Sequence, residues 1–179
     1  MTKSTLIISI FLLAFCAAVG IAAEANNESK ARQLIDPSAS GNLQLIIGAG
    51  ASPKYLQEWV STPSNKPARV ERIKEIKPDQ TAYVGFFVTG YSIDGNKNVN
   101  CTVDVMVYDP RGKVLFSMPK YARVRGSYKE KSFLALDPGL DFTLEASDPE
   151  GNYRIEGTIS DNVSGKTAKA SYDLKLTKK

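Results

Sequence analysis

From residue 68 onward, apolar and polar side chains fall into a period of two. In the stretch TAYVGFFVT, residues 81–89, Val84, Phe86 and Val88 share one face. Val99, Cys101, Val103, Val105 and Val107 alternate with Asn100, Thr102, Asp104, Met106 and Tyr108. Leu140, Phe142 and Leu144 repeat the pattern, as do Tyr153, Ile155, Gly157 and Ile159, and then Ala168, Ala170, Tyr172, Leu174 and Leu176. Such alternation predicts strands with one buried and one solvated face, hence an antiparallel sheet. Weaker strands are predicted at 70–76, 113–118 and 132–136. Asp109-Pro110-Arg111-Gly112 and Asp148-Pro149-Glu150-Gly151 place Pro second and Gly fourth, as a type I turn prefers. Asp137-Pro138-Gly139 reads as another turn, and Asp161-Asn162-Val163-Ser164-Gly165 as the hairpin joining the last two strands. About seven to eight short strands at this spacing predict an all-β, antiparallel β-sandwich over 68–179.

Ahead of that pattern, residues 42–47 form a short strand candidate closed by Gly48-Ala49-Gly50. Ser52 at a cap position and Pro53 in a first turn predict a short helix, with Leu56 and Trp59 on its buried face. Trp59 either packs that helix against the sheets or stands as a binding anchor. With the proline-containing linker 61–67, residues 42–67 make a strand/helix extension before the sandwich. Residues 26–41 are polar and weakly patterned, a flexible leader. Lys3 is the only charge before Glu24, and an apolar stretch fills 6–23. Ala23-Glu24-Ala25 then fits the small-x-small rule, so residues 1–25 read as a secretory signal peptide. Cleavage after Ala22, Ala23 or Ala25 fits, and an uncleaved inner-membrane anchor is the alternative. Phe15 directly before Cys16 argues against a lipoprotein signal. The expectation is a periplasmic or secreted domain, not inserted in the membrane after cleavage.

Asp148-Pro149-Glu150-Gly151-Asn152-Tyr153-Arg154-Ile155 resembles the tyrosine corner of immunoglobulin-like, or fibronectin-III-like, sandwiches, where a turn leads into a Tyr two residues before a buried position. Ile155 stands where antibody domains carry a cysteine, so the inter-sheet disulfide is absent. Together with Thr89-Gly90-Tyr91, Asn100-Cys101-Thr102-Val103-Asp104 and Asp161-Asn162-Val163-Ser164-Gly165-Lys166, the pattern is similar to a group of small secreted bacterial proteins. The likeness covers roughly 43–176. It implies a second cysteine near the position of Tyr91, paired with the equivalent of Cys101, and this chain departs there. It implies a fold and a compartment and brings no activity with it.

Composition narrows the chemistry. The chain has 179 residues, no histidine, two cysteines and a net charge of +4. A Ser-His-Asp or Cys-His nucleophile is excluded, as are a thiolate zinc site and an iron–sulfur cluster within one chain. Nothing calls for a cofactor. After signal removal Cys101 is the lone cysteine. Its place among valines on an apolar face reads as an inert core thiol rather than a redox centre. Residues 120–131 carry Lys120, Arg123, Arg125, Lys129 and Lys131 against Glu130, with Tyr121 and Tyr128 between. Such interleaving suits an anionic polymer whose rings stack on the tyrosines, and Lys120, Tyr121, Arg123, Arg125, Tyr128 and Lys129 are the candidate contacts. The plainer reading is an edge strand and loop kept soluble by charge. Export argues against nucleic acid as the partner and favours an envelope protein or an anionic glycan. Asp104, Glu145 and Glu156 on outward faces, and Asp109, Asp137 and Asp148 at turns, are what a carboxylate-dependent hydrolase or a calcium site would draw on. No spacing singles out a pair, and turn aspartates are explained by Asx hydrogen bonds. The reading is a non-catalytic module that binds an envelope protein through loops or an edge strand. Glycan binding through 120–131 is the alternative, and a small hydrolase the third.

Overall fold

A computed structural model describes residues 42–54, 57, 72–127 and 133–178. The strands are β1 (Gln44–Gly50), β2 (Glu75–Ile76), β3 (Thr81–Thr89), β4 (Asn98–Tyr108), β5 (Val114–Ser127), β6 (Leu134–Thr143), β7 (Gly151–Asp161) and β8 (Thr167–Leu176). Their order is β1-β3-β6-β5-β4-β7-β8-β2. The β5–β6 junction is a single register pair, Arg123↔Asp137. The sheet therefore folds over into two layers, β1-β3-β6 and β5-β4-β7-β8-β2, and β1 packs across onto β7 and β8. Pairing of β3 with β6 in one layer and β4 with β7 in the other gives the crossed connectivity of an immunoglobulin-like sandwich. Among the described residues the one parallel pair is β2 with β8. The chain contributes to one layer as β1 and to the other as β2.

The alternating runs in β4 and β7 behave as expected. Val99, Cys101, Val103, Val105 and Val107 share the buried face of their layer with Ile155 and Ile159 of the neighbouring β7. Gly157 has a specific use here: a Cβ built on it would stand 2.6 Å from Leu45 Cδ2 and 3.3 Å from Val103 Cγ2. A side chain at that position would force the Leu45 side chain of β1 to give way. β3 departs from the pattern, because Phe87 is buried on the face opposite Phe86. It stacks on Phe133 with ring centroids 4.9 Å apart and pairs in register with Ile46.

Three other expectations are corrected. Residues 42–47 are not an extension ahead of the sandwich. They open β1, which pairs with β3 along its whole length from Gln44↔Thr89 to Gly50↔Tyr83. Asp137-Pro138-Gly139 is not a turn between two strands, since β6 runs through it with a cis Asp137–Pro138 bond. The register passes from Val84↔Leu140 to Phe86↔Leu136, so the extra β6 residues form a bulge. That bulge carries Asp137 across to Arg123 of β5, and Tyr121 donates its hydroxyl to the Gly139 carbonyl at 2.7 Å. The weak strand at 70–76 is confined, among the described residues, to Glu75 and Ile76. Of the expected helix, Lys54 and Gln57 are helical, and Ser52 Oγ accepts from the Lys54 amide at 3.3 Å as an N-cap does. Leu56, Trp59, the leader and the signal segment lie outside the described residues.

The tyrosine corner is present. Tyr153 is fully buried and donates to the Pro149 carbonyl at 2.7 Å, with its ring edge-on to Phe142. Tyr153→Phe is expected to cost about 1 kcal/mol, because it leaves that carbonyl without its donor. In thermal melts this reads as a fall of roughly 2–4 °C, and an unchanged melting curve would show the corner to be dispensable.

Candidate interaction edge

Strand β5 positions the candidate site. Asp109-Pro110-Arg111-Gly112 forms the expected turn into it. The Gly112 amide donates to the Asp109 carbonyl at 2.9 Å, and Asp109 Oδ1 accepts from the Arg111 and Lys113 amides at 2.8 Å each. β5 then pairs with β4 through two irregularities. The register steps from Tyr108↔Val114 to Val107↔Phe116, and from Val105↔Met118 to Val103↔Ala122. The second bulge holds Pro119 and Lys120, the latter at φ 51°, and Asp104 Oδ1 accepts from the Lys120 amide at 2.7 Å.

Between these bulges, residues 114–118 pair with β4 alone among the described residues, since the one register pair of β5 with β6 is at Arg123. Met118 and Phe116 stand opposite Val105 and Val107, on the side that elsewhere in β5 is buried by Ala122 and Val124. Val114, in register with Tyr108, lies on the opposite, outward side. Val114 is 44% exposed and Met118 39%, while Leu115 and Phe116 are half-buried against the core. Phe116 meets the Tyr121 ring edge-on at 5.6 Å. The result is a short strand edge with apolar side chains and, among the described residues, no second strand on its backbone, flanked by Lys113 and Lys120.

The second bulge also decides the fate of the basic-aromatic stretch. It shifts the phase of alternation, so that Tyr121 and Ala122 are both buried. Tyr121 is thus no stacking platform for a ligand. Its ring packs on Phe86 and Phe116, and burial pushes its hydroxyl up to about 12, with Asp141 and Asp137 adding to the effect. Lys120, Arg123 and Arg125 are exposed. Arg123 and Arg125 stand opposite Thr102 and Asn100 of β4, roughly 7 Å apart along the strand. Tyr128 and Lys129 lie outside the described residues. Residues 114–118 are what sequence reading missed as a site, because the run Val114-Leu115-Phe116-Ser117-Met118 has no alternation to follow.

The carboxylates are dispersed into separate structural tasks. Asp148 Oδ2 accepts from the Glu145 amide at 2.8 Å, and Asp94 Oδ1 from the Asn96 and Asn98 amides at 2.9 and 2.8 Å. Glu156 stands in register with Met106 and Ser171 on the outward face. Burial holds Asp137 and Asp141 above the usual carboxylate range, with Arg123 pulling Asp137 partly back. Among the described residues no group of three or more acidic or thiol side chains is placed to hold a metal ion. Cys101 is fully buried. Burial, with the Asp161 charge beside it, pushes its thiol up to about 12, the setting of an unreactive core cysteine.

No protein-family model matches the chain, and no curated protein matches it in sequence. Among solved structures it is similar to the CARDB domain of a Pyrococcus furiosus protein in complex with di-metal ions. The identity is 14% and the TM-score 0.38, over 76% of this chain and 96% of that one. It is similar to a family 123 glycoside hydrolase from Clostridium perfringens at 7% identity and a TM-score of 0.42, over 76% of this chain and 28% of that one. A PapD-like domain of human CEP192 matches at 12% identity and a TM-score of 0.29, over 60% of this chain and 82% of that one. The immunoglobulin-like assignment rests on the strand order and the tyrosine corner described above.

Proposed function

We propose that this protein is a non-catalytic interaction module of the cell envelope, exported by its N-terminal segment, that accepts an extended segment of another protein as an added strand on β5. The observation that carries the reading is the edge at 114–118, bonded on one side only among the described residues and exposing Val114 and Met118. Unpaired backbone groups bind any extended chain, and neighbouring apolar side chains supply burial and choice of sequence. The bulges and Pro119 bound that edge and keep it from templating longer, unregulated pairing. The second reading, an anionic glycan laid along Lys120, Arg123 and Arg125, is favoured by the exposure of those cations on one strand.

Site-specific photocrosslinking in the native envelope separates the two. A photoreactive residue at Ser117, exposed on the edge, is expected to trap a discrete protein, whereas one at Ser171, on β8, traps none. Equal trapping from both positions, or capture only of polymer released at moderate salt, would overturn the edge reading.

A further inference from the structure

The geometry points to the chemistry of the added strand, an inference that rests on the edge reading above: it is a segment with apolar residues at alternate positions and carboxylates at both ends. Lys113 and Lys120 are exposed and bracket the apolar residues, on the order of 20 Å apart along the strand. Arg123 and Arg125 continue the positive charge beyond. Among the described residues the ion pairs are Arg154–Asp173 and Lys175–Glu75, on β7, β8 and β2, away from β5. None of the four β5-side cations has a carboxylate within ion-pair distance there. Asp137, in register with Arg123, feels its charge without forming an ion pair, and Asp104, at the bulge, already spends one oxygen on the Lys120 amide. The edge thus presents unpaired backbone and apolar side chains between two uncommitted positive charges.

Charge also decides against a second copy of the chain as occupant. Edge-to-edge pairing of two β5 strands would bring both sets of Lys113, Lys120, Arg123 and Arg125 into one seam. Directly opposed like charges destabilise strand pairing. An extended segment with an acid at each end makes the complementary arrangement, and about seven residues separate its charges if they are to reach Lys113 and Lys120 together.

The test uses three labelled peptides on the intact exported chain. The first alternates valine and threonine over about seven residues between pairs of aspartates. The second carries lysines at its ends instead, and the third keeps the aspartates but has proline at its centre. The acidic peptide is expected to bind about tenfold more tightly than the lysine-flanked one at low salt, with the margin shrinking at physiological salt. The proline peptide is expected not to bind, because the added strand then loses a backbone donor. Lys113→Gln with Lys120→Gln, both at exposed positions, is expected to remove most of the preference for the acidic peptide. Equal binding of acidic and lysine-flanked peptides, both blocked by proline, overturns the charge rule while the edge reading stands. Undiminished binding of the proline peptide shows a polyanion site and overturns both. So does absence of binding by all three, or concentration-dependent dimerisation of the chain in sedimentation.

Discussion

Asp161→Asn is expected to lower stability by about 3 kcal/mol at neutral pH, a melting temperature lower by roughly 6–12 °C. Asp161 is 1% exposed, and its carboxylate ties its own hairpin to the segment at Ser92. Oδ1 accepts from the Val163 amide at 3.0 Å, and Oδ2 from the Ser92 amide at 2.8 Å and the Ser164 hydroxyl at 2.7 Å. An asparagine of the same shape turns one of those acceptors into a donor facing a donor. Burial alone would raise the Asp161 pKa, but the hydrogen bonds from Ser164, Val163 and Ser92 outweigh it and hold the group below its ordinary value. A depressed folded-state pKa means stability that is present above the unfolded value, about 3.9, and is lost as pH falls through the lower folded value. Asp137 and Asp141, raised by burial, act with the opposite sign: they favour the fold at low pH and lose that contribution as pH rises through their raised values. The difference between wild type and variant cancels those two groups. It should be largest at neutral pH and narrow below about pH 4. Denaturant titrations across that range provide the measurement, and a loss under 1 kcal/mol at pH 7, or one that does not shrink in acid, would refute the role assigned to the carboxylate.

The position of that carboxylate bears on how a chain with one core cysteine keeps this end of the sandwich closed. Asp161 pairs in register with Cys101, and its side chain reaches the residue after Tyr91. Here the Asp161–Ser92 contact and the Asn162 amide bonded to the Asn100 carbonyl at 2.8 Å tie the same segments without a covalent link. Such a tie is conditional on ionisation, which a disulfide is not.

How much of this was legible in the chain depended on where each strand sits. β4 and β7 lie inside their layer with one face inward, so alternation reported them directly. β1 was visible as a strand but not as part of the sandwich, because its partner β3 is remote in sequence and only pairing reveals membership. The candidate site was the hardest part. Tyr121 counts as outward by simple alternation from Arg123, yet the bulge at 119–121 reverses the phase and buries it. Asp137-Pro138-Gly139 has the letters of a turn, and those same letters suit a bulge that lets β6 bend toward β5. The exposed edge left no motif at all, since strand addition asks for unpaired backbone, which any sequence has. The acidic and basic surface letters were readable, and what decided their meaning was which strand ended the layer.

Gly90→Ala is expected to be about as damaging as Asp161→Asn, and Gly112→Ala to be mild, although both glycines have positive φ. Gly90 lies at φ +68° and Gly112 at φ +79°, so alanine at either pays roughly 1–2 kcal/mol for a left-handed backbone. Around Gly112 nothing comes within 4 Å of an added Cβ, and that cost is the whole effect. At Gly90 the Cβ would stand 1.9 Å from the Asn42 carbonyl oxygen and 2.5 Å from its carbon. Backbone cannot rotate aside as a side chain can, so the start of β1 must move. Leu43 and Leu45, 7% and 6% exposed, then lose part of their burial against the core. Partial exposure of two leucines adds about 2 kcal/mol, for a total of about 3–4 kcal/mol against 1–2 for Gly112→Ala. Parallel denaturant titrations of the two variants measure the difference, and hydrogen exchange should report lost protection in β1 for Gly90→Ala only. Equal losses would mean that left-handed backbone strain alone sets both costs and that β1 accommodates the methyl group. A larger loss at Gly90 would fix β1 as a strand the sandwich depends on.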